Sequence, residues 1–164
     1  MLSGESAAGK YPVESVRTMS EIAEETERHI DYKEQFESQS FTIRNRVDAI
    51  SHAACTMAID LNASAIVVTS LSGLTVRMVS RFRAPITILG LATNRNAWYK
   101  LALSWGVVPV LTEQFPSMDV LNYFALKEAK RVLNLDPGDT VVMTGGNTSG
   151  QSGNTNVIRI ETVT

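Results

Sequence analysis

The sequence predicts an α/β fold, a three-layer sandwich in which a mainly parallel sheet of about five strands lies between two layers of helices. Two observations carry this. From Thr42 onward, short β-branched runs alternate with stretches of helical periodicity, the pattern of parallel strands joined by crossover helices. The run Ala65-Ile66-Val67-Val68 is apolar without alternation, as expected of a strand buried on both faces.

In chain order, Val13, Val16, Met19, Ile22, Ala23, Thr26 and Ile30 are spaced for one face of a helix over residues 13–36. Its other face is acidic, with seven acids against two bases between Glu21 and Glu37, and reads as solvated. The polar stretch Glu37-Ser38-Gln39-Ser40-Phe41-Thr42 breaks that periodicity and marks the candidate boundary between residues 1–36 and residues 37–164. Thr42 is placed to cap a helix from Ile43 to about Leu61. A strand over 65–69 follows, then a helix over 74–82, a strand over 85–91, a helix over 94–104 and a short strand over 107–110. A helix over 118–133, the turn Pro137-Gly138-Asp139, a strand over 140–144, a glycine-rich loop and a strand over 156–160 complete the chain.

The chain has 164 residues, 44% of them apolar and 20% charged, the size and composition of one ordinary globular domain. Fifteen Lys and Arg stand against seventeen Asp and Glu, so the formal charge of −2 argues against a polynucleotide partner. The single cysteine, Cys55, cannot form an internal disulfide, and no Cys/His spacing resembles a zinc site. No signal peptide and no apolar run of about 18 residues is present, so a cytoplasmic protein without membrane contact is expected.

Three segments could carry chemistry. Gly4-Glu5-Ser6-Ala7-Ala8-Gly9-Lys10 matches the outline of a phosphate loop, but Tyr11 stands where the magnesium ligand belongs and Pro12 interrupts the helix that should follow. The second segment, Ser70-Leu71-Ser72-Gly73-Leu74-Thr75, lies where a buried parallel strand ends and a helix begins. Helix N-terminal N–H groups and three hydroxyls there suit an anion, although Ser72 acting as an ordinary helix cap fits the same residues. The third is the loop from Gly145 to Gly153, which could close over a phosphorylated ligand or simply join two strands. Both loops leave the carboxyl ends of predicted strands. His29 and His52 lack partner motifs, Cys55 reads as a core residue, and Trp98 and Trp105 read as packing residues.

The opening string MLSGESAAGKYPVESVRTM resembles the end of the catalytic barrel of pyruvate kinase, with Ser6 and Ser15 in place of the usual Thr and Ala. The resemblance continues through Ser72-Gly73-Leu74-Thr75-Val76-Arg77 and Gly138-Asp139-Thr140 to Asn154-Thr155-Asn156, and so covers essentially the whole chain. It implies that residues 1–36 are the last loop and helix of a TIM barrel, and residues 37–164 a C-terminal regulatory domain. The whole enzyme would transfer phosphate from phosphoenolpyruvate to ADP with magnesium and potassium, as a tetramer. The catalytic and metal-binding groups would lie on absent barrel strands, leaving no catalytic residue, metal or cofactor in this part.

The resemblance further implies an allosteric effector site. Ser70, Leu71, Ser72, Gly73, Leu74 and Thr75 would cradle a phosphate, and Gly150, Gln151, Ser152 and Gly153 would form the lid. Leu71 stands where some relatives have a hydroxyl, and Leu121 where those binding a bisphosphate have an arginine. A sugar monophosphate or nucleoside monophosphate is therefore the expected effector.

Overall fold

The computed structural model describes residues 2–146 and 154–164. Its elements are α1 (Gly4–Ala7), α2 (Pro12–Glu27), α3 (Tyr32–Ser38), α4 (Arg46–Asp60), β1 (Ala65–Ser70), α5 (Leu74–Arg81), β2 (Ile88–Ala92), α6 (Arg95–Leu101), β3 (Val107–Leu111), α7 (Met118–Leu133), β4 (Thr140–Gly146) and β5 (Thr155–Thr162). The strands form one sheet in the order β3-β2-β1-β4-β5, parallel throughout except for the antiparallel β4–β5 pair.

Period-two alternation divides each central strand between two cores. Ile66, Val68, Ile88 and Val142 face Ala54 and Ala58 of α4, Val76 and Val79 of α5, and Leu101 of α6. Ala65, Val67, Leu89, Leu91, Val141 and Met143 face Ala125 and Ala129 of α7. The three layers expected from the sequence are therefore present, and β1 is fully buried from Ala65 to Val68 because both of its faces are covered.

Several boundaries differ from the sequence expectation for local reasons. The helix expected over 13–36 is two helices. The chain turns after Glu27 through the bonds His29 N–H to Thr26 O and Ile30 N–H to Glu27 O, and α3 restarts with the Asp31 carboxylate accepting from the Glu34 N–H at 2.9 Å. That turn carries Phe36 into the first core, beside Phe41 and His52. Helix α4 starts later than expected because Asn45, not Thr42, is its cap, accepting from Asp48 N–H at 2.9 Å. Strands β4 and β5 each run longer than their apolar cores, since ladder pairing carries them to Gly146 and back to Thr155.

Candidate functional site

Strand β1 has β2 on one side and β4 on the other, and the chain fills the β2 and β3 positions before returning across β1 to form β4. The carboxyl ends of β1 and β4 thus flank the point where strand order reverses, the position where open α/β sheets leave a crevice for ligands. The two loops singled out in the sequence leave these two ends.

At the end of β1, Ser70 and Leu71 are half-buried and Ser72 is exposed. Gly73 then takes the left-handed conformation, φ 75°, and serves as the N-cap of α5 without any side-chain cap bond. A side chain at Gly73 would be strained there and would also press on Leu101, with a Cβ at 3.2 Å from it. The expectation that Ser72 caps this helix is not met: the capping position is one residue later and has no side chain. Leu74 and Thr75 form the first turn, so their N–H groups face the crevice mouth with the positive end of the α5 dipole.

Thr75 is buried, 3% exposed, and its hydroxyl shares a hydrogen bond of 2.6 Å with the hydroxyl of Thr155. The first turn of α5 is thereby tied to the first residue of β5. Across the crevice, Gly145 lies so close to Thr69 that any Cβ would collide with the Thr69 hydroxyl, which is what lets β4 run against β1 at this edge. On the far side of the crevice, Arg46, at the start of α4, donates to the Asn154 Oδ1 at 3.3 Å. The structure therefore brings Ser70 to Thr75 together with both ends of the glycine-rich loop, Gly146 and Asn154. The lid residues Gly150, Gln151, Ser152 and Gly153 lie outside the described residues.

Thr155 and Arg46 were not legible as part of this site. Thr155 meets Thr75 from 80 positions away, and Arg46 looks like any basic residue in a helix first turn. Only the register of β5 and the packing of α4 across the sheet bring them to the crevice.

The remaining candidates have structural places. Gly4 to Ala7 is a one-turn helix with no buried residue, not a loop between a buried strand and a helix, so no phosphate loop is built there. Cys55 is buried against α5 and burial pushes its thiol up to about 12, so it is no ready nucleophile. His52 packs among Phe36, Phe41 and Phe82, and His29 pairs with Glu25 on the surface. Trp98 donates to the Pro109 carbonyl at 3.1 Å and Trp105 to the Glu27 carboxylate at 3.2 Å. Among the described residues, no group of three or more His, Cys, Asp or Glu side chains could hold a metal ion, and no helix is long and apolar enough to cross a membrane.

Comparison with known proteins gives these features a context. The family described as pyruvate kinase, alpha/beta domain, matches residues 48–161. A pyruvate kinase of Clostridium acetobutylicum is 39% identical over 164 residues, covering 99% of this chain and 35% of the relative. Pyruvate kinase 2 of Synechocystis is 39% identical over 163 residues, 99% of this chain and 27% of the relative. A pyruvate kinase of Geobacillus stearothermophilus is 34% identical over 164 residues, 99% of this chain and 28% of the relative. The chain thus spans about a third or less of the length of the curated relatives it matches.

Proposed function

The chain belongs to the pyruvate kinase family, and from that premise we propose that it is the C-terminal effector-binding and assembly region, residues 37–164, with residues 1–36 the end of the catalytic barrel. In the whole protein this region would regulate the transfer of phosphate from phosphoenolpyruvate to ADP, a cytoplasmic step of glycolysis, in a homo-oligomer. Magnesium and potassium would serve that transfer elsewhere. No step through them is assigned to this chain.

The observation that carries the effector reading is the switch point itself. A helix N-terminus whose cap has no side chain opens between the ends of β1 and β4, beside both ends of a loop with four glycines. Charge-assisted bonds from N–H groups to a phosphate dianion are worth about 1.5–3 kcal/mol each. The ligand class is a phosphorylated sugar or nucleoside monophosphate, held by Ser70 to Thr75 and closed over by Gly150 to Gly153.

One observation favours a second reading, a purely structural domain that supports assembly and binds no effector. The Thr75 hydroxyl, which the resemblance would aim at phosphate, is already buried and bonded to Thr155. Calorimetry separates the two. With ribose 5-phosphate, glucose 6-phosphate, AMP and fructose bisphosphate, the effector reading expects at least one to bind, and Ser72→Ala to weaken it about tenfold, with circular dichroism confirming that the variant is folded. No binding below millimolar concentration leaves the structural reading standing, and binding whose affinity is unchanged in Ser72→Ala overturns the assignment of the ligand to Ser70 to Thr75. By itself the chain should form no pyruvate from phosphoenolpyruvate and ADP above a protein-free control, since the positioned cationic and metal groups that phosphoryl transfer uses would lie on the barrel strands of the whole enzyme.

A further inference from the structure

Two helices turn their amino ends toward the crevice. Helix α5 presents Gly73, Leu74 and Thr75. Helix α4 presents Arg46, whose guanidinium reaches the Asn154 Oδ1 at 3.3 Å, and its other end leads within four residues into the start of β1, at the opposite end of the sheet. Unpaired N–H groups and aligned peptide dipoles make both amino ends positive.

A cation in the first turn of a helix works against that dipole and calls for an anion nearby. The carboxylate in the same turn, Asp48, does not serve. It is 2% exposed, accepts from the Arg44 N–H at 3.2 Å and lies 3.4 Å from the Arg81 guanidinium. Among the described residues no ion pair includes Arg46, and the atom it binds is a neutral amide oxygen. The cradle at the end of β1 has the converse shortage. Ser70 to Thr75 contains no cationic side chain, and the Thr75 hydroxyl is spent on Thr155. The lone cation and the cradle that lacks one are tied to consecutive residues, since Asn154 holds Arg46 and Thr155 holds Thr75.

We propose that Arg46 is the residue that reads charge in this crevice, its guanidinium leaving the Asn154 amide to take oxygens of the phosphate seated at the first turn of α5. Arginine's planar fork holds two phosphate oxygens at once, and a neutral amide orients that fork without neutralising it. The inference rests on the effector reading and narrows its ligand to a phosphomonoester dianion, which the guanidinium favours over the monoanion.

Calorimetry on the whole chain with ribose 5-phosphate, glucose 6-phosphate and AMP tests it, circular dichroism confirming the fold of each variant. Arg46→Gln should weaken the tightest of these ligands about tenfold or more. The parent should also lose affinity as the pH falls through about 6, where a phosphomonoester dianion becomes a monoanion, and this loss should shrink in Arg46→Gln. Arg46→Lys, which keeps the charge without the fork, should recover that pH dependence and part of the affinity. Affinity unchanged in Arg46→Gln overturns the proposal, and so does a loss that leaves the parent's pH dependence in place, which would make Arg46 only a support for Asn154. In either case, Ser72→Ala still weakening the same ligand leaves the effector reading intact. Absence of binding by all three ligands overturns the effector reading and this inference with it.

Discussion

In α5, Val76 and Val79 are fully buried and Thr75 and Ser80 nearly so, whereas in α2 not one residue is buried, although Val13, Val16, Met19 and Ile22 follow the same helical spacing. Both helices have a polar opposite face, and both read alike as amphipathic helices. The difference lies in what stands across from them. The sheet and α4 cover α5, while among the described residues α2 packs against the one-turn helix α1, which itself buries nothing, and meets Trp105 through the bond to Glu27. Periodicity announces that a face exists to be buried; it does not say that its partner is in the same stretch of chain.

The contrast can be broken by mutation. The largest effect should come from Phe82→Ala. This ring is 1% exposed and meets Phe41 edge-on at 4.9 Å, so its loss should cost about 3–5 kcal/mol in denaturant unfolding. Next, Thr75→Val should cost about 1–3 kcal/mol, because it orphans the buried Thr155 hydroxyl, and the double variant with Thr155→Val should recover most of that loss. An additive double variant would show that the two hydroxyls do not act together.

A smaller effect is expected where the start of β1 is fastened to the turn before β4. There the Asp139 carboxylate accepts from the Ser64 hydroxyl at 2.7 Å and from the Asp136 N–H at 2.8 Å, and these bonds hold it below its ordinary pKa. Its contribution to stability is therefore complete above pH about 4 and is lost as the pH falls through the lowered value. Thermal melts of Asp139→Asn should show a lower midpoint than the parent at neutral pH, with the gap closing in acid. A gap independent of pH would detach the effect from the carboxylate. The smallest change belongs to α2, where Ile22→Ala should alter stability by no more than about 0.5 kcal/mol. A loss comparable to Phe82→Ala would mean that α2 is packed after all, and would end the contrast.

Much of this molecule was legible in its residues. Ala65 to Val68 announced a strand covered on both faces, Met118 to Leu133 a helix with its ends in place, and Ser70 to Thr75 a strand-to-helix junction. These are local signals, fixed by side-chain shape, periodicity and turn chemistry within a few residues.

The tertiary structure decided the rest. The ends of β1 and β4 flank one crevice because β4 docks beside β1 and not beside β3, a choice made by the burial of Val141, Val142 and Met143 between two helical layers rather than by any local motif. Thr75 became a buried tie, not an open hydroxyl, because the register of the β4–β5 hairpin delivers Thr155 to it. The helix expected over 13–36 broke at Arg28 to Asp31, where Asp31 caps a second helix whose Phe36 packs beside Phe41 and His52, residues beyond the reach of any local signal. Sequence determines which faces need covering, since hydrophobicity and backbone propensity are properties of each residue and its near neighbours. Which surfaces meet depends on contacts between distant segments, and their free energy exists only once the chain has folded.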